Sequence, residues 1–243
     1  MKEDKKAVLV VGADSDIGCE LIKLIDDDVV AHYFADEKKL TPLKSKNRNI
    51  RPVFGDLSTV DGIKSFISDV EKISGNIEKI VHLPSLPART ERFRDFDADM
   101  YLRDITVQAL SAGLIFSAFL PKMAKRGFGR VAVVLTAYCI GVPPKFLTSY
   151  VSAKYALLGM VKSAAVEFAP KGVLVNAVAP SMTETKFLSS LPDFEIEATA
   201  KANPTGRNAR PEDIAPTLKL LLDENNGFMT GAVIPITGGG SFY

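Results

Sequence analysis

"AVLVVGADSDIG" (residues 7–18) places five apolar residues directly before a turn that begins and ends with glycine. Apolar residues without polar alternation are typical of a strand buried on both faces of a parallel sheet. A helical pattern follows the turn at residues 19–25. Glycine lets a backbone turn approach a pyrophosphate, and a helix N-terminus offers that anion unpaired amides and partial positive charge. The stretch therefore predicts the first strand and helix of an α/β domain that binds a dinucleotide at Gly12 to Gly18.

The rest of the chain continues this alternation of strands and helices. Further strands are predicted at residues 29–34, 50–53, 80–82, 131–135, 174–178 and 233–236. Further helices are predicted at residues 59–73, 99–123, 150–168 and 211–222. This order predicts an α/β fold with a doubly wound, Rossmann-type parallel sheet of about seven strands and helices on both faces. The length of 243 residues fits a single domain over residues 1–243.

Residues 182–210 are the least regular part of the pattern, and Pro192 and Pro204 interrupt them. They follow a predicted strand and precede a predicted helix. In doubly wound folds, a long excursion beyond the carboxyl end of a strand is a candidate substrate lid. A surface loop without that role is the alternative.

The composition excludes several other classes of protein. Hydrophobic residues make up 47% of the chain, charged residues 24%, and the net charge is +1, without the basic excess of a nucleic-acid binder. The apolar run at residues 112–120 is too short to span a bilayer. The charged N-terminus leads straight into an apolar run, without a signal sequence. Cys19 and Cys139 lack the spacing of metal ligands. We therefore expect a cytoplasmic protein that binds no metal, membrane or nucleic acid.

Asp16 is the unexpected residue of the first turn, because a third glycine is expected at its position. A carboxylate about 4 Å from a phosphate would be repelled by roughly 4 kcal/mol at an effective dielectric constant of 20. We therefore expect Asp16 to point away from the phosphates, for example to cap the helix, or else to weaken the site. Asp14 and Ser15 are also good capping residues, so capping without any ligand stays open.

The end of the second predicted strand, "HYFADEKK" (residues 32–39), bears on the choice of dinucleotide. An acidic residue there binds the ribose hydroxyls of NAD and repels the 2′-phosphate of NADP. Asp36 lies eighteen residues beyond Gly18, close to the usual spacing of about twenty. Lys38 and Lys39 follow at once and could receive a phosphate. The cofactor is therefore NAD or NADP, with NAD favoured, and a solvated charged turn is the alternative.

The candidate catalytic pair is Tyr150 and Lys154, in the predicted helix "SYVSAKYALLGM" (residues 149–160). Residues four apart share one helix face, so the phenol and the ammonium can point into one pocket. Chance also produces a tyrosine and a lysine at this spacing. The pair therefore needs support from the rest of the sequence.

That support comes from several segments that occur in one order along nearly the whole chain. With the pair at 150–157, the sequence resembles the short-chain dehydrogenase/reductase family, and within it the single-domain branch that includes 3-oxoacyl-carrier-protein reductases. The segments that carry the resemblance are "VGADSDIG" (11–18), "GDLS" (55–58), "YVSAKYAL" (150–157), "VLVNAVAPSMTET" (173–185), "NPTGRNARPEDIA" (203–215) and "MTGAVIPITGGG" (229–240).

The resemblance implies an oxidoreductase in which Tyr150 exchanges a proton with the substrate oxygen while nicotinamide exchanges a hydride. Lys154 would lower the pKa of the phenol and bind the nicotinamide ribose, and Asp56 would reach the adenine. The cofactor-binding residues carried over are Gly12, Ser15, Asp16, Ile17, Gly18, Asp36, Asp56, Leu57, Tyr150, Lys154, Pro180, Thr183 and Thr185. The resemblance also implies a homo-oligomer, a dimer or a tetramer, paired through the two long helices.

Three positions depart from the family pattern. The family serine after the fifth strand is missing: counting from residues 129–130 places Thr136 there, and counting back from Gly141 places Tyr138 there. We favour Thr136, because its hydroxyl keeps the reach of serine. Gln108 takes the place of the family asparagine that supports a water in the proton relay. His82 stands where the family has asparagine, and we expect it to be packed or hydrogen-bonded and not catalytic.

These departures leave two functions open. The first is an NAD(P)-dependent oxidoreductase for a ketone or secondary alcohol, on a small-molecule or carrier-bound substrate. The second is a catalytically degraded family member that serves as a binding or structural subunit. The retained Tyr150–Lys154 pair favours the enzyme.

Overall fold

The computed structural model describes residues 6–44, 49–87 and 89–241. The strands within them are β1 (Ala7–Val11), β2 (Asp28–Tyr33), β3 (Ile50–Phe54), β4 (Ile77–His82), β5 (Gly129–Val134), β6 (Val173–Pro180) and β7 (Val233–Ile236). All pair in parallel in one seven-stranded sheet with the order β3-β2-β1-β4-β5-β6-β7. The strand order reverses between β1 and β4. Doubly wound folds bind ligands in the crevice at the carboxyl ends of such strands.

Helices connect the strands. The α-helices of the described residues are α1 (Asp16–Leu24), α2 (Val60–Ile73), α3 (Ala98–Ile105), α4 (Ser111–Arg126), α5 (Thr148–Phe168), α6 (Asp193–Ala202) and α7 (Pro211–Leu221). Five short 3-10 helices lie at Glu37–Leu43, Phe93–Asp95, Ala137–Cys139, Ala169–Lys171 and Lys186–Leu188. A π-helical turn, Thr106–Leu110, joins α3 to α4.

The predicted fold class is confirmed, and each predicted strand and helix has its counterpart. Two details differ from the prediction. The helix predicted at residues 99–123 is divided by the π turn Thr106–Leu110 into α3 and α4. The irregular stretch 182–210 contains α6, because Pro192 precedes the first turn of that helix as its N-cap and does not interrupt it. Proline is tolerated there, since the first helical amides have no intrahelical acceptor.

The core forms two layers, one on each face of the sheet. On one face, Phe66 of α2, Ile115 of α4 and Leu157 of α5 pack with alternate strand residues such as Leu9. On the other face, α1 and α7 pack against the strand residues that point the opposite way, such as Val10. Successive side chains of a strand alternate between the two faces of a sheet. The continuous apolar strands of the sequence follow from burial on both faces.

One helical stretch of the described residues, Ala98–Arg126, is long and apolar enough to cross a membrane by length and composition alone. Half of its most apolar window is buried inside the structure. The core helix of a soluble protein has the same properties, so this stretch is weak support for a membrane span. Its buried residues on α4 belong to the core described above.

Both histidines of the chain are buried at the carboxyl ends of central strands. His32 accepts a hydrogen bond from the Gly12 amide at Nδ1, at 2.9 Å, and its Nε2 lies 3.0 Å from the Gly55 carbonyl oxygen. His82 Nε2 lies 3.0 Å from the Ser111 hydroxyl. His82 is thus hydrogen-bonded, as predicted. Burial, and after it the charge of Lys154, lowers the pKa of His82 to about 3.

We expect the free energy of unfolding to decrease as the pH falls from about 7 to about 5. A histidine of the unfolded chain takes up a proton at a pKa of about 6.5, whereas folded His82 does so only at about 3. The unfolded state therefore binds more protons below a pH of about 6.5, and His82 alone accounts for a loss of about 2 kcal/mol over this interval. Urea unfolding followed by circular dichroism at both pH values measures the change.

His82→Asn is the matched variant, because asparagine keeps a hydrogen-bonding group at this position but does not titrate. Its unfolding free energy should depend on pH less than that of the wild type, by about 2 kcal/mol over the same interval. Identical pH dependence of the two proteins would show that His82 binds its proton equally well in both states.

Candidate active site

A cleft of about 690 Å³ opens at the carboxyl ends of the strands, and residues that follow β1, β2, β3, β4, β5 and β6 line it. Most of the predicted site residues meet there. Those that line the cleft are Gly12, Ser15, Asp16, Ile17, Asp36, Asp56, Leu57, Thr136, Tyr150, Lys154, Pro180, Thr183 and Thr185. Gly18 and Gln108 do not line the cleft.

The first turn owes its shape to two glycines. Gly12 has a φ of +81°, which L-residues with side chains rarely adopt. A β-carbon on Gly18 would lie 2.6 Å from the Gly12 carbonyl oxygen, so α1 can pack this close to the turn only with glycine there. Ser15 caps α1: its hydroxyl oxygen accepts from the Gly18 amide at 3.0 Å and donates to the Gly12 carbonyl at 2.6 Å. Gly18 thus brings α1 to the cleft without facing it.

Asp16 is the first residue of α1 and not its cap, which is Ser15. Its carboxylate accepts from Lys39 Nζ at 2.9 Å and from the Lys186 amide at 3.0 Å. Burial by itself would raise the pKa of Asp16, but the Lys186 amide and the Lys39 ammonium outweigh it and hold this pKa below its usual value. Asp16 is therefore an anion whose charge Lys39 partly neutralises, which weakens its repulsion of a phosphate at α1.

Carboxylates also gather at the carboxyl ends of β2 and β3. Asp36 caps the 3-10 helix Glu37–Leu43, and its Oδ1 accepts from the Lys38 amide at 3.0 Å. Asp56 Oδ1 accepts from the Ser58 amide at 2.8 Å. Lys39 lines the cleft, and Lys38 is not among the lining residues. Of the two lysines that the sequence offered to a phosphate, the structure brings only Lys39 to the site.

Helix α5 carries the candidate catalytic pair at the other end of the cleft. Lys154 Nζ donates to the Val134 carbonyl at 2.8 Å and lies 5.8 Å from the centre of the Tyr150 ring. Burial lowers the pKa of Lys154 to about 8, although Cys139 and Asp104 favour its charged form. The amine is thus mostly protonated at a pH of about 7.

The Tyr150 phenol is desolvated by its surroundings. Burial raises its pKa above the usual value, and a hydrogen bond with the Thr136 side chain works in the opposite direction. Thr136 caps the 3-10 helix Ala137–Cys139, and its hydroxyl oxygen lies 3.4 Å from the Tyr138 amide. Tyr138 also lines the cleft. Both candidates for the missing serine therefore reach the site.

Gln108 is completely buried within the π turn Thr106–Leu110. Its side-chain amide donates to Asp104 Oδ1 at 2.7 Å, and its Oε1 lies 3.4 Å from the Ser85 hydroxyl. Gln108 itself does not line the cleft, but its partner Ser85 does. Burial raises the pKa of Asp104. Asp104 was not among the predicted site residues. Its spacing of four residues from Gln108 did not show which side of the predicted helix would face the cleft.

The segment after β6 closes over the pair. Phe187 lies in the 3-10 helix Lys186–Leu188, and its ring centre is 5.3 Å from that of Tyr150. Leu191 and Thr199 of the same segment also line the cleft. The stretch 182–210 therefore borders the candidate catalytic residues directly.

These groups fit an adenine dinucleotide. The amides of Asp16 and Ile17 lie in the first turn of α1, where no intrahelical acceptor exists, and both residues line the cleft. Such a helix N-terminus suits a pyrophosphate. Across residues 6–44, 49–87 and 89–241, no group of three or more His, Cys, Asp or Glu side chains is placed to hold a metal ion.

Comparison with known proteins identifies the family. Residues 21–241 match the family model described as enoyl-(acyl carrier protein) reductase. A 3-oxoacyl-acyl-carrier-protein reductase of Thermotoga maritima is 28% identical over 248 residues, which cover 98% of this chain and 99% of the relative. Cis-4-hydroxycyclohexanecarboxylate dehydrogenase of Sinomonas cyclohexanicum is 26% identical over 242 residues, 97% of this chain and 96% of the relative.

A solved structure agrees with these relatives. The protein ElxO with NADP bound superposes with a TM-score of 0.84 and 26% sequence identity, covering 97% of this chain and 98% of its own. The chain belongs to the short-chain dehydrogenase/reductase family.

Proposed function

We propose that this NAD(P)-dependent oxidoreductase interconverts a ketone and a secondary alcohol, with Tyr150 as the proton donor and acceptor. One observation carries the proposal: Tyr150 and Lys154 line the same cleft one turn apart on α5, and Thr136 lines it with them. A bound nicotinamide would supply or accept the hydride. The residues of the chain supply the proton and orient the substrate oxygen.

In the reductive direction, the Tyr150 hydroxyl donates its proton to the carbonyl oxygen of the substrate. In the oxidative direction, its phenolate takes the proton of the alcohol. A free phenol has a pKa of about 10, so a phenolate near neutral pH requires about 4 kcal/mol of stabilisation. Burial at this site increases that requirement. The Lys154 ammonium lies 5.8 Å from the centre of the Tyr150 ring and is the cation placed to stabilise the phenolate.

Thr136 is proposed to take the place of the family serine. Its hydroxyl can bind the substrate oxygen together with Tyr150, which would fix the carbonyl between the two groups. Gln108 is proposed not to contact the substrate directly, because its side-chain amide donates to Asp104. A non-catalytic role for the protein has no such observation in its favour, since Tyr150, Lys154 and Thr136 all line the cleft.

The substrate end of the cleft is mostly apolar, with Leu86, Leu147, Phe187 and Leu191 among its lining residues. It suits a small or carrier-bound ketone with an apolar body. We propose residues 182–210 as a substrate lid, because Phe187 already packs on the ring of Tyr150. A substrate that reaches Tyr150 must share this space with Phe187.

We propose NAD(H) as the preferred cofactor on grounds of charge. The carboxylates of Asp14, Asp16 and Asp36 line the cleft, together with Lys39, which is paired with Asp16, and Lys186. A 2′-phosphate carries nearly two negative charges and would meet this excess of carboxylates. The NADP-bound relative gives this preference no support, so it rests on the charges alone.

We further propose that the protein is cytoplasmic and forms a homo-oligomer through α3, α4 and α5. Exposed apolar side chains lie on α3 and α5, with exposed fractions of 58% for Leu102, 47% for Tyr155 and 80% for Val166. Such side chains are common at interfaces between copies of a chain. No nucleic acid or membrane partner is proposed.

Tyr150→Phe should lower turnover by about 10²–10⁴-fold, the usual contribution of a positioned proton donor, while leaving cofactor binding nearly unchanged. The change removes one oxygen and keeps the ring that packs on Phe187. Lys154→Ala should lose turnover and also weaken cofactor binding by about tenfold, because its ammonium serves both the phenol and the ribose. Steady-state rates on a panel of ketones and secondary alcohols, with nicotinamide fluorescence for binding, separate the two. Unchanged rates in Tyr150→Phe would refute the proposed role.

Thr136→Val should reduce turnover by about tenfold or more, since a hydrogen bond lost from the transition state costs about 1–3 kcal/mol. Valine is nearly isosteric with threonine but has no hydroxyl. Tyr138→Phe is the matched control and should leave turnover within about threefold of the wild type. The reverse result would show that Tyr138, and not Thr136, replaces the serine.

The wild-type protein should bind NADH at least about fivefold more tightly than NADPH, because of the carboxylates near the 2′ position. Titration of each reduced dinucleotide, followed by its fluorescence at low salt, gives the two dissociation constants. Tighter binding of NADPH would mean that Lys39 leaves Asp16 and binds the 2′-phosphate instead. Binding of neither at millimolar concentration would refute the proposed function itself.

A further inference from the structure

The Asp14 carboxylate binds three successive backbone amides at the carboxyl end of β2. Its Oδ2 accepts from the amides of Phe34, Ala35 and Asp36, at 3.3, 3.0 and 3.2 Å. These residues are twenty to twenty-two positions away in the sequence, and all four line the cleft. Successive amides that converge in this way form a small anion-binding nest. In this chain, the anion that fills the nest is a side chain of the protein.

The nest lies at the place where a dinucleotide is discriminated. In doubly wound folds, the end of β2 contacts the adenosine ribose, and a 2′-phosphate on that ribose would be held by groups at this point. Three free amides would be good ligands for such a phosphate, because they donate hydrogen bonds to its oxygens. Asp14 takes these donors and adds a negative charge at the same position.

The neighbouring groups leave this role to Asp14. Asp36, which the sequence spacing assigned to the ribose, has its Oδ1 at the Lys38 amide. Lys39 Nζ donates to Asp16 Oδ1 at 2.9 Å and to the Asp14 carbonyl at 3.0 Å. The Lys39 ammonium is thus already paired, whereas Lys186, which also lines the cleft, lies beside Asp16. In contrast, Asp14 Oδ1 has no hydrogen-bond partner among the residues that the structure describes, so it can accept from a ribose hydroxyl.

We propose that Asp14 is a specificity-determining residue, which excludes the 2′-phosphate of NADP(H) by filling the amide nest with its own carboxylate. The inference rests on the proposed function, because it assumes that the cleft binds a nicotinamide dinucleotide. It differs from the assignment of this role to Asp36. Removal of the Asp14 side chain both empties the nest and removes the repelling charge.

The test compares dissociation constants of NADH and NADPH for three variants and the wild type by nicotinamide fluorescence. Asp14→Ala should bind NADPH at least about tenfold more tightly than the wild type, but NADH no more tightly, because it also loses the acceptor for the ribose hydroxyl. Asp14→Asn keeps an oxygen for the amides but loses the charge, so its gain for NADPH should be smaller. Asp36→Asn is the comparison variant: it removes a carboxylate from the same loop but leaves the nest filled, so its affinity for NADPH should rise less than that of Asp14→Ala.

Adenosine 2′,5′-bisphosphate and 5′-AMP, titrated by calorimetry, separate this inference from the proposed function. They probe only the adenosine half of the cleft. A gain for the bisphosphate in Asp14→Ala supports the nest even where neither nicotinamide dinucleotide binds, which would refute only the proposed function. The proposal is overturned if neither Asp14 variant binds NADPH or the bisphosphate more tightly than the wild type does, while thermal unfolding shows that both variants are folded. A gain in Asp36→Asn that equals or exceeds that of Asp14→Ala also overturns it.

Discussion

The contact between Gly18 and the Gly12 carbonyl oxygen determines how the whole site is arranged. No β-carbon fits between them, so the first turn of α1 lies directly on the end of β1. This brings the free amides of α1 to the cleft and lets Ser15 close the turn with two short hydrogen bonds. It also places Asp14 within reach of the loop after β2, on the neighbouring strand. The cofactor end of the cleft thus depends on one close approach of backbone to backbone.

At the catalytic end, burial acts on the two members of the pair in opposite directions. Burial raises the pKa of the Tyr150 phenol and lowers that of the Lys154 amine. In both residues it therefore stabilises the neutral form relative to the charged form. The Val134 carbonyl restrains Lys154 by a hydrogen bond, and the Phe187 ring packs against the ring of Tyr150. A tyrosine in this environment keeps its proton, which is the state needed to reduce a carbonyl group. Oxidation of an alcohol needs the phenolate instead, which the Lys154 ammonium is placed to stabilise.

The sequence predicted the features that depend on local pattern. Continuous apolar runs located the strands of the parallel sheet, and the four-residue spacing of Tyr150 and Lys154 located a shared helix face. It could not predict contacts between distant segments. The bonds of Asp14 to the amides after β2 and of Asp16 to the Lys186 amide join residues whose proximity only the folded sheet creates. The facing of Gln108 was unpredictable for a related reason, because the π turn that contains it changes the helix register.

That π turn, Thr106–Leu110, means that the path from α3 to α4 contains one residue more than a regular helix would use. Loss of one residue in this turn would restore regular α-helical hydrogen bonds. It would also rotate α3 by about 100° about the helix axis relative to α4. Leu102 of α3 would then move to another side of the molecule. Related chains that differ in length at this point would therefore differ in which residues they present on their surface, even where the sequence of α3 is the same.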